Sequence, residues 1–372
     1  KMKVNIKKII LILIISLISS TAFAAKKPIP TPLEKLSKRF KGSELIKIQS
    51  YTGLDYMSIK EGWHKEHPVE VDALLTFPKK GKGPFPVVII THSSGGPGHF
   101  NWKNMPTHRS WSKKLLKKGI AVMFLDNFSG RGVVNTYMDQ SVASIWSMYI
   151  DAFMALEYLS KDPRVNIKKV GISGSSRGGM TAIMAAEKRL RDALISKDLY
   201  FAASQPRSPD CWSTGMFINP QPIKKTKVWL IHGLSDNHNL AVHCEDLAKK
   251  MQANGGDVII DLRKGWHHSF LRAYPPEKDK GQTWYNCPGF FTDDDGHPDK
   301  ASIDFWIEYD AFESREAYYK MAREDPGRAL RFTFQPYYMK KCVIYDAHTE
   351  GGNKGNQLQK TWLKFWVDNL LN

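Results

Sequence analysis

The sequence predicts an α/β protein built on a doubly wound, mostly parallel sheet, and three observations carry that prediction. Strand-like apolar runs alternate with helix-like segments along most of the chain, the pattern of parallel strands joined by crossover helices. Some runs are apolar at every position, as in Val87-Val88-Ile89-Ile90, which suits strands covered on both faces. Finally, Val170-Gly171-Ile172 leads through Ser173-Gly174-Ser175-Ser176-Arg177-Gly178-Gly179 into Met180-Thr181-Ala182-Ile183-Met184. There a strand turns at once into a helix around Gly174-x-Ser176-x-Gly178.

Taken in order, residues 1–24 read as a leader rather than as part of the fold. Lys3, Lys7 and Lys8 precede an apolar run over 9–18, and Ala22-x-Ala24 offers a small-residue cleavage site. This is the pattern of a secretory signal peptide cut after Ala24, and the apolar run is too short to span a bilayer comfortably. The expected location is periplasmic or secreted. Residues 25–44 form a lead-in rich in Pro and Lys, expected to be loosely held. Residues 45–372 form the folded domain. Strands are expected over 45–49 and 69–77, the second with Val69, Val71, Ala73, Leu75 and Phe77 in alternation. A strand over 86–91, a helix over 110–118 and a strand over 120–125 follow. A long helix over 141–159 leads to the serine-bearing strand. Further strands are expected over 200–204, 228–232 and 258–262, with a helix over 245–253. Residues 274–341 break the alternation. They are rich in aromatic residues, contain a helix-like stretch over 311–322, and read as an insertion packed on the core, with a lid as one reading. An amphipathic helix over 358–371 closes the chain.

Composition narrows the function classes. Lys and Arg number 54 against 37 Asp and Glu, a formal net charge of +17. That balance reflects either a compositional bias toward lysine or a weak attraction to anionic cell-surface polymers or lipids. No basic run is interleaved with aromatics, so a nucleic-acid groove is not expected. The four cysteines are Cys211, Cys244, Cys287 and Cys342. An even number in an exported chain implies two disulfides. Cys211 follows one strand of the second half of the sheet and Cys244 follows the next. Their loops should meet at the sheet's carboxyl edge, which pairs Cys211 with Cys244 and leaves Cys287 with Cys342. No cysteine spacing fits zinc, and the acidic stretch over 292–299 lacks the closing glutamate of a calcium loop. No metal and no cofactor are expected.

The strand–turn–helix at Ser176 is the setting of a nucleophile elbow. Such a turn lifts the serine oxygen clear of the backbone, and the N–H of Arg177 faces the place where an oxyanion would form. The Arg177 side chain is expected either to bind an anionic substrate group or to form a salt bridge at the rim. A serine hydroxyl is a weak nucleophile until an imidazole takes its proton, and the imidazole needs a carboxylate to hold its tautomer. Beyond the strand over 228–232 comes Gly233-Leu234-Ser235-Asp236, and beyond the strand over 258–262 comes Gly265-Trp266-His267-His268-Ser269-Phe270. Asp236 is the acid this order favours over Asp246 and Asp261, and either histidine could be the base. The glycine-rich His92-Ser93-Ser94-Gly95-Gly96-Pro97-Gly98 stands where a second oxyanion donor belongs.

From about residue 69 to residue 371 these pieces resemble the dienelactone hydrolase-like branch of the α/β-hydrolases. The resemblance rests on His92-Ser93-Ser94-Gly95-Gly96, Asp126-x-x-x-x-Arg131-Gly132, Gly174-Ser175-Ser176-Arg177-Gly178-Gly179, Pro209-Asp210-Cys211, Gly233-Leu234-Ser235-Asp236 and His268-Ser269-Phe270. It implies an α/β-hydrolase fold with Ser176 as nucleophile, Asp236 as acid and His268, rather than His267, as base. It also implies oxyanion donors from Ser94 and Arg177, and it puts Arg131 near the mouth of the site, to bind a substrate carboxylate or brace a loop. The sequence departs from the family in its serine nucleophile, in its long insertion, and at Ser93, which replaces a glycine and would be strained at positive φ. The function expected is that of an exported serine hydrolase cleaving a carboxylic ester, thioester or lactone through an acyl-enzyme on Ser176. A peptidase on the same fold and a non-catalytic exported binding protein are the alternatives, and loss of one member of the Ser–Asp–His order would mark the latter.

Overall fold

Most strands of the main sheet form where the apolar runs predict them. The computed structural model describes residues 31–101, 103, 106–212, 215–283, 289–308, 311–333 and 347–372. The leader over 1–24, Cys287 and Cys342 lie outside them. The strands are β1 (Glu44–Tyr51), β2 (Pro68–Thr76), β3 (Phe85–Thr91), β4 (Ala121–Asp126), β5 (Val165–Ser175), β6 (Ala203–Arg207), β7 (Met216–Phe217), β8 (Lys227–Gly233), β9 (Asp257–Arg263), β10 (Glu277–Lys280), β11 (Phe291–Thr292) and β12 (Ala347–Glu350). The main sheet has the order β1-β2-β4-β3-β5-β6-β8-β9. Antiparallel pairing joins β1, β2 and β4; from β4 through β9 the strands are parallel.

The apolar character of β3 and β4 has a two-sided cause. Val87 and Ile89 face one core layer together with Ala121, Met123 and Leu125. Val88, Ile90, Val122 and Phe124 face the other. Helices Ile145–Ser160 and Arg177–Met184 cover the first face. Helices Pro106–Lys117 and Gly355–Leu370 cover the second, with Trp111, Leu115, Trp362 and Trp366 buried there. Full burial of each such side chain is worth roughly 1.5–3 kcal/mol. All five connections between the parallel strands therefore leave from one carboxyl edge, where open α/β sheets place their ligands.

Several boundaries differ from the sequence reading. The lead-in is not loose from residue 32 onward. Leu33 and Leu36 of helix Pro32–Ser37, and Phe40 behind it, are buried, and the Phe40 ring meets Phe124 edge-on at 5.4 Å. The long helix begins at Ile145 instead of 141, because Ser144 caps it by accepting the N–H of Trp146 at 3.1 Å. Residues Gln140–Val142 form a separate short turn capped by Asp139. Strand β6 lies over Ala203–Arg207, three residues beyond the expected strand, because its buried positions are polar and escape an apolarity pattern. The helix after the Asp236 loop starts at Ala241, and the helix expected over 311–322 runs from Arg315 to Glu324, with a further helix Pro326–Thr333 behind it.

Cys211 and Cys244 are joined by a disulfide. The insertion is tied to its flanks: its β10 pairs with β12 and its β11 pairs with β7. Its aromatic core gathers Phe290, Trp306, Phe312 and Tyr318 with Leu54. The Tyr318 hydroxyl donates to Asp55 at 2.6 Å. The acidic turn is closed from within, with Asp293 accepting the His297 N–H at 2.9 Å. No helix among the described residues is long and apolar enough to cross a membrane.

Candidate active site

The turn at the end of β5 forces Ser176 to φ 55°, ψ −122°, a region a side chain occupies at a cost of about 1–3 kcal/mol. The surroundings hold it there. Its N–H donates to Arg207 O at 2.8 Å, and its carbonyl accepts Met180 N–H at 2.9 Å to start helix Arg177–Met184. The flanking glycines answer a packing demand. A Cβ on Gly174 would stand 2.2 Å from Gly178 O, and one on Gly178 would stand 2.6 Å from His92 O. The helix therefore starts pressed against the end of β3. Arg177 N–H is the first of that helix, one of the donors that no intrahelical carbonyl reaches.

Asp236 and His268 come together from the loops after β8 and β9. His268 Nδ1 donates to Asp236 Oδ2 at 2.9 Å, and both side chains are buried. Asp236 Oδ1 accepts the N–H groups of His238 at 3.0 Å and Asn239 at 2.9 Å. Burial opposes the Asp236 charge, but His268 and these donors outweigh it and hold the carboxyl below its usual range. Burial likewise disfavours a charged His268; the Asp236 charge and hydrogen bond, with the charge of Glu350, prevail and raise it above the ordinary histidine value. His267 is turned elsewhere, its Nδ1 3.0 Å from Ser235 O. No hydrogen bond among the described residues joins Ser176 Oγ to His268.

The loop after β3 differs from expectation in its backbone. Ser93 is not in the left-handed region; Gly96 is, at φ 74°. The strain expected at Ser93 therefore does not arise. Burial holds His92 neutral, down to about 4. Its Nε2 accepts Asn127 N–H at 3.1 Å, so its Nδ1 donates to Ser93 O at 2.9 Å. Ser94 O accepts Thr136 N–H at 2.8 Å.

The two arginines bear on alternatives that the sequence left open. Arg131 does not stand open for a substrate carboxylate. Its Nη1 reaches Asp151 Oδ2 at 2.8 Å and Asn127 O at 2.7 Å, and its Nη2 reaches Asp151 Oδ1 and Tyr51 O, both at 2.9 Å. All four terminal N–H bonds are used, so Arg131 braces its loop. Arg177 forms no ion pair among the described residues. Its guanidinium is buried against neutral acceptors, Gln140 Oε1 at 2.6 Å and Ala143 O, and burial pushes it down to about 10.

The structure adds neighbours that the sequence did not single out. The His238 ring lies 4.5 Å from His268 and 4.1 Å from His348. His348 Nε2 lies 2.8 Å from Glu350 Oε1, and Glu350 also pairs with Arg272. His238 could have been suspected from its place two residues after Asp236; the others carry no local signal.

The fold is that of an α/β-hydrolase, and the family match makes the chain a hydrolase of ester-type substrates. The chain belongs to the dienelactone hydrolase family, whose profile matches residues 71–294. Among solved structures it is similar to a dienelactone hydrolase-like promiscuous phosphotriesterase from metagenomic libraries, at 16% identity over 62% of this chain and 84% of the other, with a TM-score of 0.44. It is also similar to esterase 2 of Thermogutta terrifontis, at 15% identity over 63% and 85%, TM-score 0.43. A third is Est1E of Butyrivibrio proteoclasticus, at 16% identity over 54% and 86%, TM-score 0.38. No curated protein sequence matches the chain.

Proposed function

We propose that this hydrolase cleaves a small carboxylic ester, thioester or lactone through an acyl-enzyme on Ser176. The observation that carries the reading is the buried 2.9 Å bond from His268 Nδ1 to Asp236 Oδ2, at the same sheet edge as the strained Ser176. With Nδ1 committed to Asp236, Nε2 is the atom left to take a proton. In the reaction His268 Nε2 removes the Ser176 Oγ proton as Oγ attacks the carbonyl carbon. The carbonyl oxygen becomes an oxyanion, received by the N–H groups of Arg177 and Ser94. Collapse expels the alcohol or thiol, which takes the proton from His268; a lactone keeps its alkoxy arm as a hydroxyacyl group. Water then gives His268 a proton and attacks the acyl carbon, and Ser176 leaves protonated with the acid released.

A fluorophosphonate probe and a panel of p-nitrophenyl esters test this. The wild-type protein should be labelled and active, and Ser176→Ala should be neither. Labelling or turnover that survives in Ser176→Ala would refute the reading. Export to the periplasm or beyond belongs to the same proposal. The Cys211–Cys244 disulfide supports an oxidising compartment, and the positive charge supports weak attraction to anionic cell-surface polymers or lipids. Cell fractionation with N-terminal sequencing checks export, with Ala25 as the expected first residue.

A further inference from the structure

Gln140 joins three parts of the chain through one side-chain amide and one backbone N–H. Its Oε1 accepts from Arg177 Nη1 at 2.6 Å and from Thr136 Oγ1 at 3.0 Å. Its Nε2 donates to Ser94 Oγ at 3.1 Å. Its backbone N–H donates to Gln282 Oε1, just beyond β10, at 2.7 Å. The orientation of the amide is dictated, because a guanidinium can only donate. Oε1 must therefore face Arg177, which leaves Nε2 for Ser94.

An amide is the side chain this position demands. It offers an acceptor to Arg177 and a donor to Ser94 while carrying no charge. A carboxylate would cancel the guanidinium beside the elbow, and an apolar side chain would leave both partners unsatisfied. We propose that Gln140 is a positioning residue for acylation. It fixes the loop bearing Ser94 against the start of the helix bearing Arg177, and it leaves the Arg177 charge uncancelled beside the forming oxyanion. The proposal rests on the reading of Ser94 and Arg177 as oxyanion donors.

The test compares Gln140→Met, Gln140→Glu, Ser94→Ala and the Ser94→Ala/Gln140→Met double variant. Each is read as kcat per titrated active site, as KM, as melting temperature and as affinity for a trifluoromethyl ketone, which binds as an anionic tetrahedral adduct. Gln140→Met should lose about 10²-fold in kcat and a similar factor in ketone affinity, with KM little changed. Gln140→Glu should keep the melting temperature yet lose at least about 10-fold in kcat, because it adds charge where the oxyanion forms. The double variant should be no worse than Gln140→Met alone, since Gln140 acts through Ser94. A wild-type kcat per active site in Gln140→Glu, or a Gln140→Met defect confined to the active fraction, overturns the proposal. Activity surviving in Ser176→Ala overturns the underlying reading with it; an inert Ser176→Ala beside a fully active Gln140→Met overturns this one alone.

Discussion

His268 and Glu350 run side by side as a parallel backbone bridge, and Gly351 N–H donates to His268 O at 2.9 Å. The strand that closes the insertion therefore holds the histidine loop from behind, while Asp236 holds the ring from the front. Glu350 adds its charge to that of Asp236 at the same imidazole.

This arrangement sets a pH dependence. In the proposed mechanism His268 must be neutral to accept a proton, and its raised pKa means that it becomes neutral only above the ordinary value of 6.5. The acid limb of kcat/KM should therefore have its midpoint above 6.5. Asp236→Asn removes the main raising influence and leaves burial less opposed, so the midpoint should move down while kcat falls about 10⁴-fold. Glu350→Gln should move it in the same direction by less. A stopped-flow pH profile on a p-nitrophenyl ester measures all three, and a midpoint that ignores Asp236 would count against His268 as the base.

The adjacent histidines should separate cleanly. His268→Ala should lose roughly 10³-fold or more in kcat, as removal of a general base requires. His267→Ala should stay within a few-fold, because its ring is committed to Ser235 O. Steady-state kinetics with active-site titration decides between them.

The disulfide closes a stretch with a sequence separation of 33, inside which the Asp236 loop lies. The double replacement Cys211→Ala/Cys244→Ala should destabilise the protein by about 2–4 kcal/mol. Denaturant unfolding of the oxidised and variant proteins reads the difference directly, and equal midpoints would remove the disulfide as a brace.

Arg131 should matter for folding and not for substrate. Arg131→Met strands the buried Asp151 carboxylate, a loss of about 3–5 kcal/mol. Arg131→Met/Asp151→Leu should recover part of it. In either variant, KM values for neutral and carboxylate-bearing esters should shift together. A selective loss for the carboxylate-bearing ester would restore the substrate-binding role.

What the sequence alone determined is what contiguous residues encode. The alternation of Val87, Val88, Ile89 and Ile90 between two core layers makes a buried strand unavoidable. Gly174 and Gly178 mark a turn too tight for side chains, and Ser176, Asp236 and His268 follow in that order the ends of β5, β8 and β9. Tertiary structure decided the rest. The residues alone leave His267 and His268 both open and the family resemblance favours His268; in the fold it is His268 whose Nδ1 meets Asp236, while His267 faces Ser235 O. Arg131 was legible as conspicuous, but its partner Asp151 lies on a helix whose docking brings the pair together. Strand β6 escapes an apolarity pattern because Ser204, Gln205 and Arg207 are polar and buried, hydrogen-bonded to Ala182 O, Ser173 and Trp362 that only the folded sheet brings near. Gln140, His348 and Glu350 had no local signature. Periodicity and steric fit act over a few residues and can be read along the chain. Hydrogen bonds and ion pairs between residues far apart in sequence exist only once the loops at the sheet's carboxyl edge have met.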